Sequence, residues 1–207
     1  MILPKLREIK EALTSFFSAP YTTKFPFEPH TPEPEFRGLP RYHAESCVGC
    51  GSCAQVCPPQ AITMTDDQTA GVRTLTVDYA SCIHCGQCEE HCITGQGIKL
   101  STEYSISVMD LKAPEMFESV QKELLYCEAC RVVVAPRDQL KWIKNRLGAK
   151  AYAHPNLLLE SQKEFFGLAP AKSKSRLRRE DQVKVLCPKC RHKVVVEDEF
   201  YGFQKND

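Results

Sequence analysis

The chain has 207 residues, 27 basic and 26 acidic, and its formal net charge of +1 leaves no global field for holding nucleic acid or an anionic membrane. Twelve cysteines and 14 prolines in this length argue for small metal-stapled units over one large apolar core. No apolar run approaches the ~20 residues needed to cross a bilayer, so the expectation is a soluble or peripheral protein without a transmembrane segment.

Ile2, Leu6, Ile9, Leu13, Phe16 and Phe17 recur at steps of three and four, with Lys5, Arg7, Lys10 and Glu11 on other faces. That period predicts an amphipathic helix. The same charged residues interrupt the stretch before the apolar core of an export signal develops. Pro20 ends the helix, and Pro26, Pro29, Pro32, Pro34 and Pro40 predict an extended arm. Amphipathicity leaves three surfaces open to this helix: its own chain, a partner, or a membrane face.

Next come two copies of one spacing, Cys47-x2-Cys50-x2-Cys53-x3-Cys57 and Cys82-x2-Cys85-x2-Cys88-x3-Cys92, the second 35 residues after the first (82 − 47). A disulfide framework would need an oxidising compartment, whereas this spacing, occurring twice, is the thiolate set for two 4Fe-4S clusters. Two-residue gaps let a tight loop hold three iron corners, and the x3 step carries the fourth thiolate away. The bacterial ferredoxin pattern crosses the fourth ligand to the neighbouring cluster. Crossing assigns Cys47, Cys50, Cys53 and Cys92 to the first cluster, and Cys82, Cys85, Cys88 and Cys57 to the second. Each run is followed by a short apolar strand, Ala61 to Met64 and Ile98 to Leu100. Thr63 to Asp66 and Thr74 to Val77 flank a polar turn and predict a hairpin. In the second copy Ile93 replaces Pro58, and the path through Gly95 to Gly97 is one residue longer, which predicts a loosened exit loop with no ligand lost.

After Asp110, Met116, Val120, Leu124 and Leu125 suggest a helix leading to Cys127-x2-Cys130 and a strand-like Arg131 to Val134. Pro136 to Leu147 predicts a helix ended by Gly148, and Leu157 to Phe166 another. A basic stretch from Lys172 to Arg179 reads as a solvated link. Beyond it, Val183 to Leu186, Cys187-x2-Cys190 and Val194 to Val196 read as a second knuckle between strands. Cys127, Cys130, Cys187 and Cys190 then form a tetrahedral set for one Zn, with a single Fe as the alternative. His84 and His91 lie beside cluster ligands without being needed as ligands, and Trp142 reads as a packing residue.

With Arg37-Gly38 in the arm, Cys47-Val48-Gly49-Cys50-Gly51-Ser52-Cys53-Ala54-Gln55-Val56-Cys57-Pro58, and Cys82-Ile83-His84-Cys85-Gly86-Gln87-Cys88-Glu89-Glu90-His91-Cys92, the chain resembles the two-cluster subunit I of respiratory NADH-quinone oxidoreductase. The added C-terminal pairs look like the relative of that subunit in formate hydrogenlyase and other membrane-bound nickel-iron hydrogenases. The expected fold is α+β: an N-terminal helix and docking arm (1–40), a 2x(4Fe-4S) ferredoxin domain (41–106) and a C-terminal zinc-ribbon or rubredoxin-like four-cysteine metal-binding domain (107–207). The resemblance implies a non-catalytic electron-transfer subunit, with a quinone-reducing complex or a free soluble ferredoxin as alternatives. It further implies a cytoplasmic place on the inner membrane face. The implied partners are a small hydrogenase subunit, a ferredoxin-like or formate dehydrogenase input subunit, and a membrane arm. No Gly-rich phosphate loop and no spare cysteine pair for a nickel site remain.

Overall fold

The computed structural model describes residues 5–28, 30–167, 177 and 179–201. Residues 1–36 form one unit and 37–207 another. In the first unit, helix α1 (Leu6–Phe17) follows the predicted period, and Glu8 accepts a hydrogen bond from the Lys5 backbone amide at its start. Ile2 and most of the Lys172 to Arg179 link lie outside the described residues.

The second unit opens with strand β1 (Pro40–Tyr42), whose partner is β4 (Ile98–Leu100), antiparallel with Tyr42 opposite Ile98. Between them lie the short helices α2 (Ser52–Gln55) and α3 (Gln87–Glu90) and the hairpin β2 (Ile62–Asp67) and β3 (Val72–Asp78). The duplication is visible in the backbone. Gly51 and Gly86, 35 residues apart, cap α2 and α3 with φ of +79° and +82°, a left-handed turn that glycine adopts without a Cβ penalty.

The first departure from expectation is at Phe117–Tyr126, which forms strand β5 and not a helix. It pairs along the whole of β3, Leu75 opposite Val120, then turns through the first C-terminal cysteine pair into β6 (Val133–Pro136). The four-stranded sheet β2-β3-β5-β6 therefore runs across the expected 106/107 division. Within β5, Glu118, Val120, Lys122 and Leu124 point inward in a period of two. The two charges on that face disguise the alternation. Leu75, Val77, Val120, Ile98 and Tyr79 pack with Cys47, Cys53 and Cys88 into one core, so the cysteine loops are part of the interior.

Helices α4 (Arg137–Leu147, ended by Gly148 as expected) and α5 (Pro155–Phe166) pack Leu140 and Leu157 on Leu125 and Val185. The second departure concerns the strands expected around Cys187. Arg179–Val183 is a 3-10 turn, Val185 and Leu186 belong to no strand, and Pro188–Tyr201 is helix α6. Pro188 begins that helix at a position where its missing N–H costs nothing. Cys187, Cys190 and Val194, spaced by three and four, fall on one buried face. That spacing outweighs the β propensity of Val194 to Val196, and the two-stranded arrangement of a zinc ribbon is not what holds the second pair.

Candidate metal centres

The first cysteine run wraps a small cavity. Cys47, Cys50 and Cys53 line it together with Cys92 from the second run, and Tyr42, Leu75 and Ile98 supply apolar wall. Around the other group, the Cys82 thiol lies within electrostatic reach of Cys57 and Cys85, and Cys88 within reach of Cys82, Cys85 and, across the pair, Cys53. The two runs are also tied directly, Ser52 Oγ donating to the His91 carbonyl at 3.0 Å. Burial pushes the thiols of Cys47 and Cys82 up, Cys53 up to about 11 and Cys88 up to about 12. Thiols so placed ionise only when a cationic core balances them, which is what an iron cluster provides. The donor set and the mostly apolar wall therefore fit 4Fe-4S ligation.

Cys92 behaves differently. Burial opposes its ionisation, yet the Thr94 hydroxyl and the amides of Thr94, Gly97 and Ile98 together hold it below the usual thiol range. The glycine-rich exit is thus not slack, contrary to what its extra length predicts. Gly97 N–H donates to Cys92 Sγ at 3.3 Å, and a Cβ on Gly97 would stand 3.1 Å from Cys47 Cα. The extra residue folds the loop back onto the thiolate.

Strand β5 supports the approach to Cys47 with the two charges that hid its period. Glu118 accepts from the Tyr42 amide at 2.6 Å, the Tyr79 hydroxyl at 2.6 Å and Arg41 Nη1 at 2.5 Å, and Arg41 also pairs with Glu103. Lys122 Nζ donates to the Ala44 carbonyl at 2.6 Å and to Asp138 at 2.8 Å. Burial alone would raise the Glu118 pKa, but its three donors overturn that and hold it below the ordinary carboxylate range. A depressed carboxyl contributes stability that is complete above its unfolded pKa of about 4.3 and is lost as pH falls through the lower folded value. Glu118→Ala should therefore cost about 3 kcal/mol near pH 7, discounted for the partial exposure of Arg41. In urea unfolding of the reconstituted chain, the gap to wild type should narrow below about pH 4. A gap independent of pH would rule out the charge contribution.

The four C-terminal thiols meet. Their Sγ atoms all lie within 4.8 Å of one another, with Cys130 and Cys187 at 3.6 Å, and among the described residues no other group of three or more ligands is so close. Tetrahedral Zn–S bonds of about 2.3 Å place sulfurs roughly 3.8 Å apart, so the spacing is that of a single ion. Amides help to form the site. Although burial opposes it, the amides of Cys130, Cys187 and Ala129 draw the Cys127 thiol down to about 7, while burial and the neighbouring thiols raise Cys190. Asn156 on α5 fixes the approach to the second pair: its Nδ2 donates to the Leu186 carbonyl at 2.9 Å and its Oδ1 accepts from Arg191 at 2.6 Å. Glu128, between the first two ligands, is 3% exposed and pairs with Lys163. Asn156, Glu118 and Glu128 had no sequence signal, since a single polar residue outside a motif carries none.

Residues 46–96 match the 4Fe-4S dicluster domain family. NADH-quinone oxidoreductase subunit I 2 of Geobacter metallireducens is 34% identical over 115 residues, covering 52% of this chain and 87% of that relative. The chain belongs to the family of NADH-quinone oxidoreductase subunit I. Formate hydrogenlyase subunit 6 of Escherichia coli is similar too, 32% identical over 121 residues, 58% of this chain and 66% of that one. The chain spans 46% of the NAD(P)H-quinone oxidoreductase subunit I of Gloeobacter violaceus, at 29% identity over 44% of its own length. A chain of the membrane-bound sulfane sulfur reductase, an archaeal respiratory membrane complex, aligns with a TM-score of 0.40 and 27% identity, over 53% of this chain and 59% of that one. The dicluster match ends well before Cys127, so the four-thiol C-terminal site lies outside the residues that match that domain.

Proposed function

We propose that this chain is a non-catalytic electron-transfer subunit, carrying two 4Fe-4S clusters, in a membrane-associated nickel-iron hydrogenase complex of formate hydrogenlyase type. The observation that carries the reading is the division of all twelve cysteines into eight in the duplicated dicluster spacing and four drawn to single-ion distance. Cys47, Cys50, Cys53 and Cys92 hold one cluster and Cys82, Cys85, Cys88 and Cys57 the other, while Cys127, Cys130, Cys187 and Cys190 hold one structural Zn. When bound, each cluster supplies one-electron redox chemistry. The chain's own residues supply the rest: apolar walls that keep water from the thiolates, amides directed at them, and a sheet that fixes the two loops against each other.

Among the described residues no helix is long and apolar enough to cross a membrane. The proposed attachment to the inner face is through partner subunits: the small hydrogenase subunit, an input subunit and the membrane arm. A quinone-reducing complex is the second reading, favoured by the 87% coverage of the Geobacter subunit. Anaerobic purification with the native assembly tests both. The expected preparation contains about eight cluster irons and one zinc per chain, with a hydrogenase large subunit at equal stoichiometry. A ninth iron without zinc would overturn the metal assignment, and a quinone-reducing membrane arm without hydrogenase would decide for the second reading.

A further inference from the structure

We propose that Tyr42, Lys122 and Arg73 hold the Cys47/Cys50/Cys53/Cys92 site at a higher reduction potential than the Cys57/Cys82/Cys85/Cys88 site, so that an added electron settles at the first. The inference rests on the two-cluster reading and the crossed ligand sets above. Reduction adds negative charge at the sulfurs, and hydrogen bonds and cations directed at those sulfurs stabilise the reduced form. The two sites differ in both respects.

Tyr42 Oη lies 3.8 Å from Cys53 Sγ, and toward a metal-bound thiolate the hydroxyl is the donor. Its backbone is pinned at the same time, because the Tyr42 amide donates to Glu118 at 2.6 Å. Arg73 Nη1 donates to the Gly49 carbonyl at 3.2 Å, inside the Cys47–Cys50 loop, and its charge reaches Cys50. Lys122 Nζ donates to the Ala44 carbonyl, and its charge reaches Cys47.

Both cations have carboxylate partners, but the pairs are oriented. Arg73 presents its Nε and Nη2 edge to Asp66 and its Nη1 to the loop. The Lys122 side chain is 11% exposed and its partner Asp138 45%, so the positive end is the inner one. Low dielectric strengthens the inner charge, and water screens the outer. Each pair therefore acts as a dipole with its positive end toward the first site. At the second site the charge of the Asp78 carboxylate, which accepts from the Ala80 amide and the Ser81 hydroxyl, reaches the Cys82 thiolate and repels added charge. A cation at that loop is Arg37, an exposed residue whose Nη1 donates to the Cys85 carbonyl at 3.3 Å.

Burial acts the other way by one residue. Cys47 and Cys53 are buried in the first set, and only Cys88 in the second. Two inward cations and two hydroxyls, Tyr42 at Cys53 and Thr94 at Cys92, against one carboxylate form the larger difference.

The test is an EPR-monitored potentiometric titration of the full-length chain, reconstituted anaerobically with iron and sulfide, with Cys50→Ser marking which signal belongs to the first site. The marked signal should titrate at the higher potential. Tyr42→Phe, which removes only the hydroxyl, should lower that potential and leave the other unchanged. Lys122→Met should lower its reduction equilibrium constant about tenfold, about 59 mV for a one-electron couple. Asp78→Asn should raise the second potential alone. Equal potentials, the reverse order, or a Tyr42→Phe shift confined to the second site would overturn the proposal, and the near-isosteric Tyr42→Phe decides if Lys122→Met does not assemble. Absence of two cluster signals in the wild-type chain would instead overturn the two-cluster reading beneath it.

Discussion

A Cys57→Ala chain, reconstituted anaerobically, should lose the cluster that depends on Cys82, Cys85 and Cys88 and keep the one that depends on Cys47, Cys50 and Cys53. The reason is the path of the chain after α2. Cys53 sits inside that helix and shares a buried core with Cys47, but the three-residue step to Cys57 carries its thiol to within reach of Cys82. Cys92 makes the reciprocal move and completes the cavity lined by Cys47, Cys50 and Cys53. Bound iron should fall from about eight to about four per chain, and one of two EPR signals should vanish. Cys92→Ala should remove the other signal. If Cys57→Ala instead removed the signal marked by Cys50→Ser, each run would hold its own cluster and the crossed assignment would be wrong.

What could be read from residues alone follows how local each signal is. The duplicated cysteine spacing, the hairpin around Asp67 to Gly71, the helix ended by Gly148 and the amphipathic α1 depend on neighbours a few positions apart, and each is found as expected. Strand β5 was hidden because its inner face holds Glu118 and Lys122, whose hydrogen bonds go to Tyr42, Tyr79, Arg41, Ala44 and Asp138. Charges are placed on a core face only when distant groups satisfy them, and those groups are 16 to 78 residues away in sequence. A period-two search that treats Glu and Lys as polar therefore fails at this strand. Helix α6 misled in the opposite direction. Val194 to Val196 has strand propensity, yet the Cys187, Cys190, Val194 spacing lets three buried groups share one helical face. Propensity yields there to the position of the thiols.

The same segment supports the second large effect. On the proposed reading that these four thiols hold one metal ion, Cys190→Ala in the full-length chain should abolish its binding and unfold residues 179–196 while leaving α4, α5 and both clusters in place. Three of the five buried residues in this small core are the ligands Cys127, Cys187 and Cys190, so its aliphatic content is Leu186 and Val194. Burying these two and the Val185 of the same segment contributes roughly 5–9 kcal/mol, less than the entropy of ordering about 18 residues at ~1 kcal/mol or more each. A structural Zn bound there would supply about 10–16 kcal/mol and close the difference. The neighbouring core of Leu125, Leu140, Ala151 and Leu157 shares only Val185 with this segment and includes none of these ligands, which is why α4 and α5 should persist. Asn156 still binds the Leu186 backbone in the variant, but two neutral hydrogen bonds contribute only about 1–3 kcal/mol. Hydrogen exchange should thus show protection lost from α6 and retained in α5, with the cluster spectra unchanged. Retained protection across α6 in a metal-free variant would mean that packing alone holds this region and that the four thiols serve some end other than structure.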